Sequence, residues 1–173
     1  MIRTKNIEKL IFWLAAAALI SPLIFFETTY VFPFIVPKIL YFRIMSALML
    51  GAYLLLLGAH KKIYGLRFSA INIAVGLFFA SLTISTFAGV DWYRSMWDSH
   101  ERMLGLFTIF HYIIYYFVVV STVKEWKQWR QLLQVFLIVG ITVMLLGVWQ
   151  RFVNDQALLN RGNTRVSATL GNP

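Results

Sequence analysis

The stretch that decides the fold of this chain runs from Gln131 to Phe152 and reads QLLQVFLIVGITVMLLGVWQRF. Its only formal charge, Arg151, comes at the very end. A helix rises 1.5 Å per residue, so about 20 apolar residues cross the ~30 Å hydrocarbon layer of a bilayer. The stretch therefore predicts a membrane-spanning helix.

Similar apolar stretches occur elsewhere in the chain. We predict four further spans, at Ile7–Phe26, Lys38–Ala59, Arg67–Ala88 and Met103–Val123. The first is too long for the apolar region of a signal peptide and is expected to stay uncleaved. Helices are required because lipid offers no hydrogen-bond partner to an open backbone. We therefore predict an all-α polytopic transmembrane helix bundle of about five spans, with residues 1–173 as a single domain.

The composition agrees with a membrane protein and excludes several other classes. Hydrophobic residues make up 60% of the chain and charged residues 13%, against about 25% charged in soluble domains. The net charge of +9 is spread over separate loops, so we expect no nucleic-acid partner. With no cysteine and no phosphate-loop or zinc motif, we expect no metal and no cofactor.

The charges between the spans predict an orientation. Three segments contain only two acids, Glu8 and Glu125. These segments are the one before span one, the loop between spans two and three, and the loop between spans four and five. Their basic residues are Arg3, Lys5, Lys9, Lys61, Lys62, Arg67, Lys124, Lys127 and Arg130. Basic loops favour the cytoplasmic side. The N-terminus is thus predicted in the cytoplasm and the C-terminus outside.

Proline and glycine residues lie within several predicted spans. Pro22 is expected to kink span one, because proline lacks the backbone donor that a helix needs. Small residues let membrane helices approach closely. We expect that role for Gly51, Gly58, Gly76, Gly140 and Gly147.

Two polar residues inside the predicted spans have two interpretations each. Arg43 lies about five residues into span two. A charge at this depth is either functional, or its long side chain places the guanidinium at the interface. We favour the second interpretation. His111 lies within span four, and we favour a hydrogen-bonded histidine at a helix contact over a proton relay.

The predicted outer loop Gly89–Gly105 concentrates polar and aromatic residues. Glu101 and Arg102 directly precede span four, at the membrane surface, where Arg102 could bind a phosphate and Glu101 orient it. The alternative is a solvated loop whose charges compensate each other. Trp92 and Trp97 are typical of the aromatic belt at membrane interfaces, and stacking on a carbohydrate is the less favoured alternative.

Two strings carry a resemblance. One is Trp97-Asp-Ser-His-Glu-Arg-Met-Leu-Gly-Leu-Phe107, and the other is Arg165-Val-Ser-Ala-Thr-Leu-Gly-Asn-Pro173. Together they resemble motifs of the O-antigen ligase/polymerase family of bacterial membrane glycosyltransferases. The Trp97–Phe107 string is similar to a Trp-x-Ser-x-Glu-Arg-x-x-Gly-Leu run before a span. The Arg165–Pro173 string is similar to a turn that ends in Gly-Asn-Pro-Asn and leads into the next span.

The resemblance implies an activity and a location. Such enzymes transfer a glycan from undecaprenyl pyrophosphate to a glycolipid, another glycan or a protein, at the outer face of the bacterial inner (cytoplasmic) membrane, without a metal. Arginines hold the pyrophosphate in this family. Arg165 and its neighbour Arg161 are the residues carried over to that role, and Arg102 and Glu101 are further candidates for binding the substrate.

The family's acceptor-activating histidine lies in a large later outer loop. Neither His100 nor His111 matches its position, so it is expected beyond residue 173 and no catalytic residue is assigned. Because the Arg165–Pro173 string stops at Pro173, the resemblance predicts the N-terminal portion of a longer lipid-linked-glycan transferase, inactive by itself.

Two other functions stay open. A transporter for a small anion or solute should have broken helices and ionisable groups near the middle of the membrane. A non-catalytic membrane scaffold should tolerate replacement of Glu101, Arg102 and Arg165 by alanine. The concentration of polar groups toward the outer surface favours the enzyme. For the predicted outer cations Arg151, Arg161 and Arg165, an anionic ligand and a tolerant exposed segment are equally good explanations.

Overall fold

The computed structural model describes residues 4–26, 34–66, 68–99, 102–153 and 168–170. Helices make up 82% of these residues, and the described ranges contain no strand. The helices are α1 (Thr4–Ala18), α2 (Ile35–Tyr64), α3 (Ala70–Ala88), α4 (Trp92–Trp97), α5 (Leu106–Thr122) and α6 (Trp126–Phe152). The predicted all-α class is confirmed.

Four segments are long and apolar enough to cross a membrane. They are Thr4–Leu23, which is α1 with a following 3-10 turn, and the helices α2, α3 and α6. The apolar helix α5 is shorter, with 17 residues. The chain therefore has the helices of a multi-pass membrane protein. The predicted count of five spans and the orientation of the termini stay predictions.

Helix ends follow local chemistry that the sequence reveals. Helix α1 ends at Ala18, and Pro22 lies within the 3-10 turn Ser21–Leu23, so the predicted break at this proline is confirmed. Helix α2 is interrupted at His60, whose backbone is non-helical (φ −147°, ψ 60°), directly after the predicted end of span two at Ala59. The turn beyond this kink ends at Tyr64.

The centre of the bundle is formed by α1, α2 and α5. Ile11 and Ala15 of α1, Met49 and Leu56 of α2 and Val118 of α5 are almost completely shielded and belong to one buried cluster. Dense packing among these side chains fixes the three helices, because dispersion contacts accumulate over many atom pairs.

Helices α3 and α6 lie at the periphery of this core. Most of their side chains are exposed, including Ile71 and Phe78 of α3 and Phe136 and Ile138 of α6. A helix with apolar residues on its exposed faces is unstable in water but stable in lipid, whose chains are equally apolar. The periphery is thus consistent with a membrane environment.

The expectation that glycines bring helices together is wrong for the four that can be assessed. A Cβ atom added to Gly51, Gly58, Gly76 or Gly140 would have no neighbouring atom within 4 Å. These glycines lie on helix faces that no other described helix covers closely. Helix contacts here depend on larger buried side chains.

One end of the bundle is fastened by Tyr64. Its hydroxyl donates to the carboxylate of Glu8 on α1, and its backbone carbonyl accepts a 2.6 Å hydrogen bond from Tyr53. The Lys124 ammonium lies 4.3 Å from the centroid of the Tyr64 ring and donates to the carbonyl of Ile63 at 3.2 Å. This Tyr64 end joins the start of α1 to the end of α2, so the two helices run antiparallel.

Neighbouring leucines of α2 provide a test of the core. Leu56 is 0% exposed and Leu55 is 61% exposed. Leu56→Ala is expected to lower the free energy of unfolding by about 2 kcal/mol or more, because it leaves a cavity. Leu55→Ala is expected to change it by less than about 0.5 kcal/mol. Unfolding in mixed detergent micelles, followed by circular dichroism, measures both, and equal losses would contradict this core.

Candidate functional site

The end of the bundle opposite Tyr64 is called the Arg43 end, and it brings together the starts of α2 and α5 and the helix α4. Helix α4 lies within the predicted outer loop, where no helix was expected. Its N-terminus is capped by Asp91, whose carboxylate accepts a 2.9 Å hydrogen bond from the backbone N–H of Arg94. A carboxylate in this position satisfies a donor that the first turn leaves free. The cap thereby stabilises a helix within the loop.

The connection from α4 to α5 has an uncommon backbone. Asp98 (φ 63°, ψ −172°) and Met103 (φ 51°) both have positive φ, which is unfavourable for residues other than glycine. The Asp98 carboxylate accepts a 2.9 Å hydrogen bond from the N–H of Leu104, and the carbonyl of Ser99 accepts one from Met103. Side-chain and backbone bonds together hold this connection in shape. Such conformations concentrate at functional sites.

Gly105 sets the distance between α4 and α5. A Cβ atom at Gly105 would lie 2.7 Å from the backbone carbonyl carbons of Met96 and Trp97, closer than side chains approach. The glycine therefore lets the start of α5 pack directly against the end of α4. In the resulting arrangement the Trp97 ring lies 4.9 Å from the ring of Phe107.

A pocket of about 210 Å³ opens between α2, α4 and this connection. It is lined by Arg43, Tyr93, Trp97, Asp98, Ser99 and Met103. We refer to it as the Arg43 pocket. It combines a cation, a carboxylate, hydroxyl groups and two aromatic rings.

Arg43 is held within the protein at this pocket. Its Nη2 donates to the hydroxyl of Thr108, and its guanidinium lies 4.8 Å from the centroid of the Phe107 ring. Its Nε is buried without a hydrogen-bond partner, and no carboxylate of a described residue is paired with it. The contacts of Arg43 lie in the first turn of α5, beside the connection from α4, and whether its side chain reaches the membrane interface stays a prediction.

A second cation of α2 lies at the same end. The Lys38 ammonium donates to the backbone carbonyl of Thr169 and lies 5.8 Å from the ring of Phe34. The N–H of Ala168 donates to the fully buried side chain of Gln150 at 2.7 Å. The described part of the Arg165–Pro173 string, residues 168–170, is thus packed against α2 and α6.

A further pocket of about 320 Å³ adjoins Lys38, with Leu170, Phe136 and Tyr112 among its walls. Tyr112 is also the electrostatic neighbour of Arg43. Tyr112 therefore interacts with Arg43 and lines the same pocket as Leu170, a described residue of the Arg165–Pro173 string.

Of the predicted site residues, only Arg102 lies within the described part of the chain. Its side chain is exposed, and its N–H donates to the carbonyl of Ser99 at 3.3 Å. Hydrogen bonds from the N–H groups of Ser99 and Leu104, and then the charge of Arg102, lower the pKa of Asp98. Arg102 is thus near the Arg43 pocket without lining it. Glu101, Arg161 and Arg165 lie outside the described residues, as does His100.

His111 fits the favoured interpretation of a hydrogen-bonded histidine. It is buried, and its Nδ1 donates to the carbonyl of Phe107 at 2.7 Å. The rings of Phe107 and Phe110 contact its imidazole edge-on. The described surroundings give it the role of a packed residue of α5.

The chain matches no protein-family model, no curated protein sequence and no solved structure.

Sequence reasoning missed Arg43 as a site residue. The signal that could have identified it was present, because a charge inside an apolar span is functional by default. The length of the arginine side chain allowed the other interpretation. Its contacts with Phe107 and Thr108, more than 60 residues away in sequence, could not be predicted from the local pattern.

Gly105 provides a test of the corner between α4 and α5. Gly105→Ala is expected to lower the free energy of unfolding by about 1–3 kcal/mol, because the methyl group meets backbone atoms that cannot move independently. The control is Gly140→Ala, which meets no atom and gains about 0.5–1 kcal/mol of helix stability. Unfolding in mixed micelles measures both changes. A Gly105→Ala protein as stable as the wild type would contradict the close approach.

The carboxylate of Asp98 predicts a pH dependence of its loop. Its pKa in the folded protein is lowered, so it stabilises the loop above the unfolded value of about 4, and this contribution is lost as pH falls through the folded value. Protection of the Leu104 amide against hydrogen exchange, corrected for intrinsic rates, should decrease below about pH 4. In Asp98→Asn this decrease should be absent. A wild-type protection that does not change with pH would contradict the role of Asp98.

Proposed function

We propose that this chain is part of an O-antigen ligase/polymerase-like enzyme. The enzyme transfers a glycan from undecaprenyl pyrophosphate to a glycolipid, glycan or protein acceptor at the outer face of the bacterial inner membrane. In this proposal the Arg43 pocket binds the phosphate groups of the lipid-linked donor. The observation that carries it is the desolvated, incompletely bonded guanidinium of Arg43.

The electrostatics of Arg43 favour an anionic ligand. Its described contacts are a hydroxyl group and an aromatic ring, and neither neutralises the charge. A partly buried charge without a counter-ion is unfavourable, and the buried Nε donor without an acceptor adds to this cost. Phosphate oxygens match a guanidinium in charge and geometry. A phosphorylated ligand would supply both the missing charge and the missing acceptor.

The depth of Arg43 suits a lipid-linked phosphate. Arg43 comes eight residues after the start of α2 at Ile35, which is about 12 Å along the helix axis. A polyprenyl phosphate keeps its apolar chain in the bilayer and its charge near the interface. Lys38, about one turn from the start of the same helix, adds a second positive charge at this end. Both cations would meet the donor from the side of the headgroups.

The orientation forms part of the proposal. We infer five spans, with α5 as a short one, since 17 residues is at the lower limit for a spanning helix. The basic residues Lys61, Lys62 and Lys124 belong to the Tyr64 end, which is therefore assigned to the cytoplasm. The Arg43 end then faces outward, where the donor is used.

The chemistry follows from the leaving group. Glycan transfer breaks the bond between the sugar and the pyrophosphate, and negative charge accumulates on the departing phosphate. A fixed guanidinium in a desolvated pocket stabilises that charge more than water does. No described residue is assigned to the activation of the acceptor.

The location of backbone irregularity favours the enzyme over a transporter. Transport sites are built from helices that are broken near the middle of the membrane. Among the described spans, the interruption within α2 is at His60, close to the Tyr64 end, and the first span is interrupted after Ala18, close to its opposite end. The scaffold alternative predicts that loss of Arg43 has no effect on ligand binding, which the following experiment tests.

The test is binding of undecaprenyl pyrophosphate to the chain in lipid nanodiscs, measured by native mass spectrometry. Arg43→Ala is expected to weaken binding about 10- to 100-fold, the equivalent of a lost charge-assisted contact. Arg130→Ala is the matched control, because it removes an exposed arginine near the Tyr64 end and should leave binding unchanged.

Equal affinities of the wild type and Arg43→Ala would refute the proposed role of this pocket. An equal loss of affinity in Arg43→Ala and Arg130→Ala would refute it as well. Undecaprenol without phosphate should bind weakly to all three proteins. This comparison separates recognition of the phosphate from recognition of the lipid chain.

A further inference from the structure

The walls of the Arg43 pocket contain more than an anion requires. Beside the guanidinium, the lining includes the aromatic rings of Tyr93 and Trp97 and the polar side chains of Asp98 and Ser99. Phosphate binding alone would be served by cations and N–H donors. Aromatic rings and a carboxylate add nothing to it, and the carboxylate opposes it. A second chemical group of the ligand would account for them.

A pyranose ring has the matching chemistry. Its axial C–H bonds form apolar faces that pack on aromatic rings, and its hydroxyl groups both donate and accept hydrogen bonds. Aromatic side chains provide a large flat surface, and carboxylates and hydroxyl groups accept hydrogen bonds from the hydroxyls of a sugar. The pocket presents both kinds of group in one space.

The two tryptophans of α4 differ in a way that the sequence could not reveal. Trp92 stacks on Phe87 at 6.4 Å and contacts the edge of Tyr93, outside the pocket. Trp97 lines the pocket and is 43% exposed, with Phe107 behind it at 4.9 Å. Trp92 therefore fits the aromatic belt, whereas Trp97 offers a supported and accessible surface to a ligand.

Asp98 and Ser99 are positioned next to this surface. The Oδ2 atom of Asp98 accepts from Leu104, but a carboxylate has about four acceptor positions, so it retains capacity for a hydroxyl group of a ligand. Ser99 follows Asp98 in the connection that the two positive-φ residues shape. These groups lie in the same pocket as Trp97.

The size of the pocket limits the ligand to about one sugar ring beside the phosphate. Its volume is about 210 Å³, less than the 300–1,000 Å³ typical of sites for drug-sized molecules. A ring in contact with Trp97 would share this small space with a phosphate on Arg43. The sugar joined directly to the phosphate is the one that fits this arrangement.

We propose that the Arg43 pocket recognises the first sugar of the lipid-linked donor, with Trp97 stacking on the pyranose ring and Asp98 and Ser99 binding its hydroxyl groups. This inference rests on the proposed function, because Arg43 anchors the phosphate to which the sugar is attached. It assigns to Trp97 the carbohydrate contact that the sequence alone disfavoured.

The experiment compares two ligands in nanodiscs by native mass spectrometry. One is undecaprenyl pyrophosphate, and the other is the same lipid carrying one sugar, chosen as the tightest binder to the wild type among glucose, galactose and N-acetylglucosamine. Trp97→Leu is expected to weaken binding of the sugar-bearing lipid about 3- to 10-fold, which matches the loss of one aromatic contact. Binding of the sugar-free lipid is expected to stay unchanged.

Matched variants complete the test. Trp92→Leu, five residues earlier on α4, should bind both lipids like the wild type. Trp97→Phe keeps an aromatic ring and should retain most of the preference for the sugar-bearing lipid. Unchanged binding of the sugar-free lipid shows that a variant is folded, so a collapsed pocket is not mistaken for a lost sugar contact.

The outcomes separate the two proposals. The wild type could bind the sugar-free lipid through Arg43 and bind none of the three sugar-bearing lipids more tightly. This result would refute the sugar site and leave the proposed function standing. Equal effects of Trp97→Leu and Trp92→Leu on the sugar-bearing lipid would also refute it. If the wild type binds neither lipid, the proposed function itself fails.

Discussion

Lipid offers no hydrogen-bond partners, and this constraint underlies the rest of the structure. Each backbone N–H and C=O within the hydrocarbon layer must be paired inside its own segment, so the apolar stretches form helices. Because lipid chains are as apolar as leucine, moving an apolar side chain from lipid into the protein core stabilises the bundle mainly through packing contacts. This explains how α3 and α6 can expose most of their side chains while α1, α2 and α5 form a dense centre.

At the ends of helix α4, side chains provide hydrogen-bond acceptors for backbone N–H groups. Asp91 accepts from the first turn of α4, and Asp98 accepts from Leu104 after its end. Gly105 then allows α5 to start in contact with α4. These local solutions create the Arg43 pocket, because they hold a short helix and its aromatic residues across the start of α2.

The two ends of the bundle handle charge differently. At the Tyr64 end, a carboxylate, a hydroxyl group and an ammonium group contact one another through Tyr64. At the Arg43 end, Asp98 interacts with Arg94 and Arg102, whereas the two cations of α2, Arg43 and Lys38, contact neutral groups: a hydroxyl, aromatic rings and a backbone carbonyl. Paired charges are typical of a structural contact between helices, and cations without counter-charges are typical of a binding site for an anion. The asymmetry is the physical basis for assigning function to the Arg43 end.

Local sequence was sufficient to specify the helices and several of their ends, because hydropathy and proline act over one or two turns. The interruption near Pro22 and the end of α6 at Phe152 could be predicted from neighbouring residues, whereas the kink at His60 was anticipated only as the end of span two at Ala59. The resemblance to glycosyltransferase motifs also directed attention to residues 97–107, of which Trp97, Asp98, Ser99 and Met103 line the pocket.

Packing between distant helices, by contrast, settled which side chains meet. Arg43 contacts Thr108, Trp97 faces the pocket while Trp92 does not, and four glycines expected at helix contacts have no close neighbour. Each of these facts depends on helices that are far apart in sequence. Local patterns do not encode that proximity, since the same arginine, tryptophan or glycine suits a lipid-facing position and a protein contact equally well.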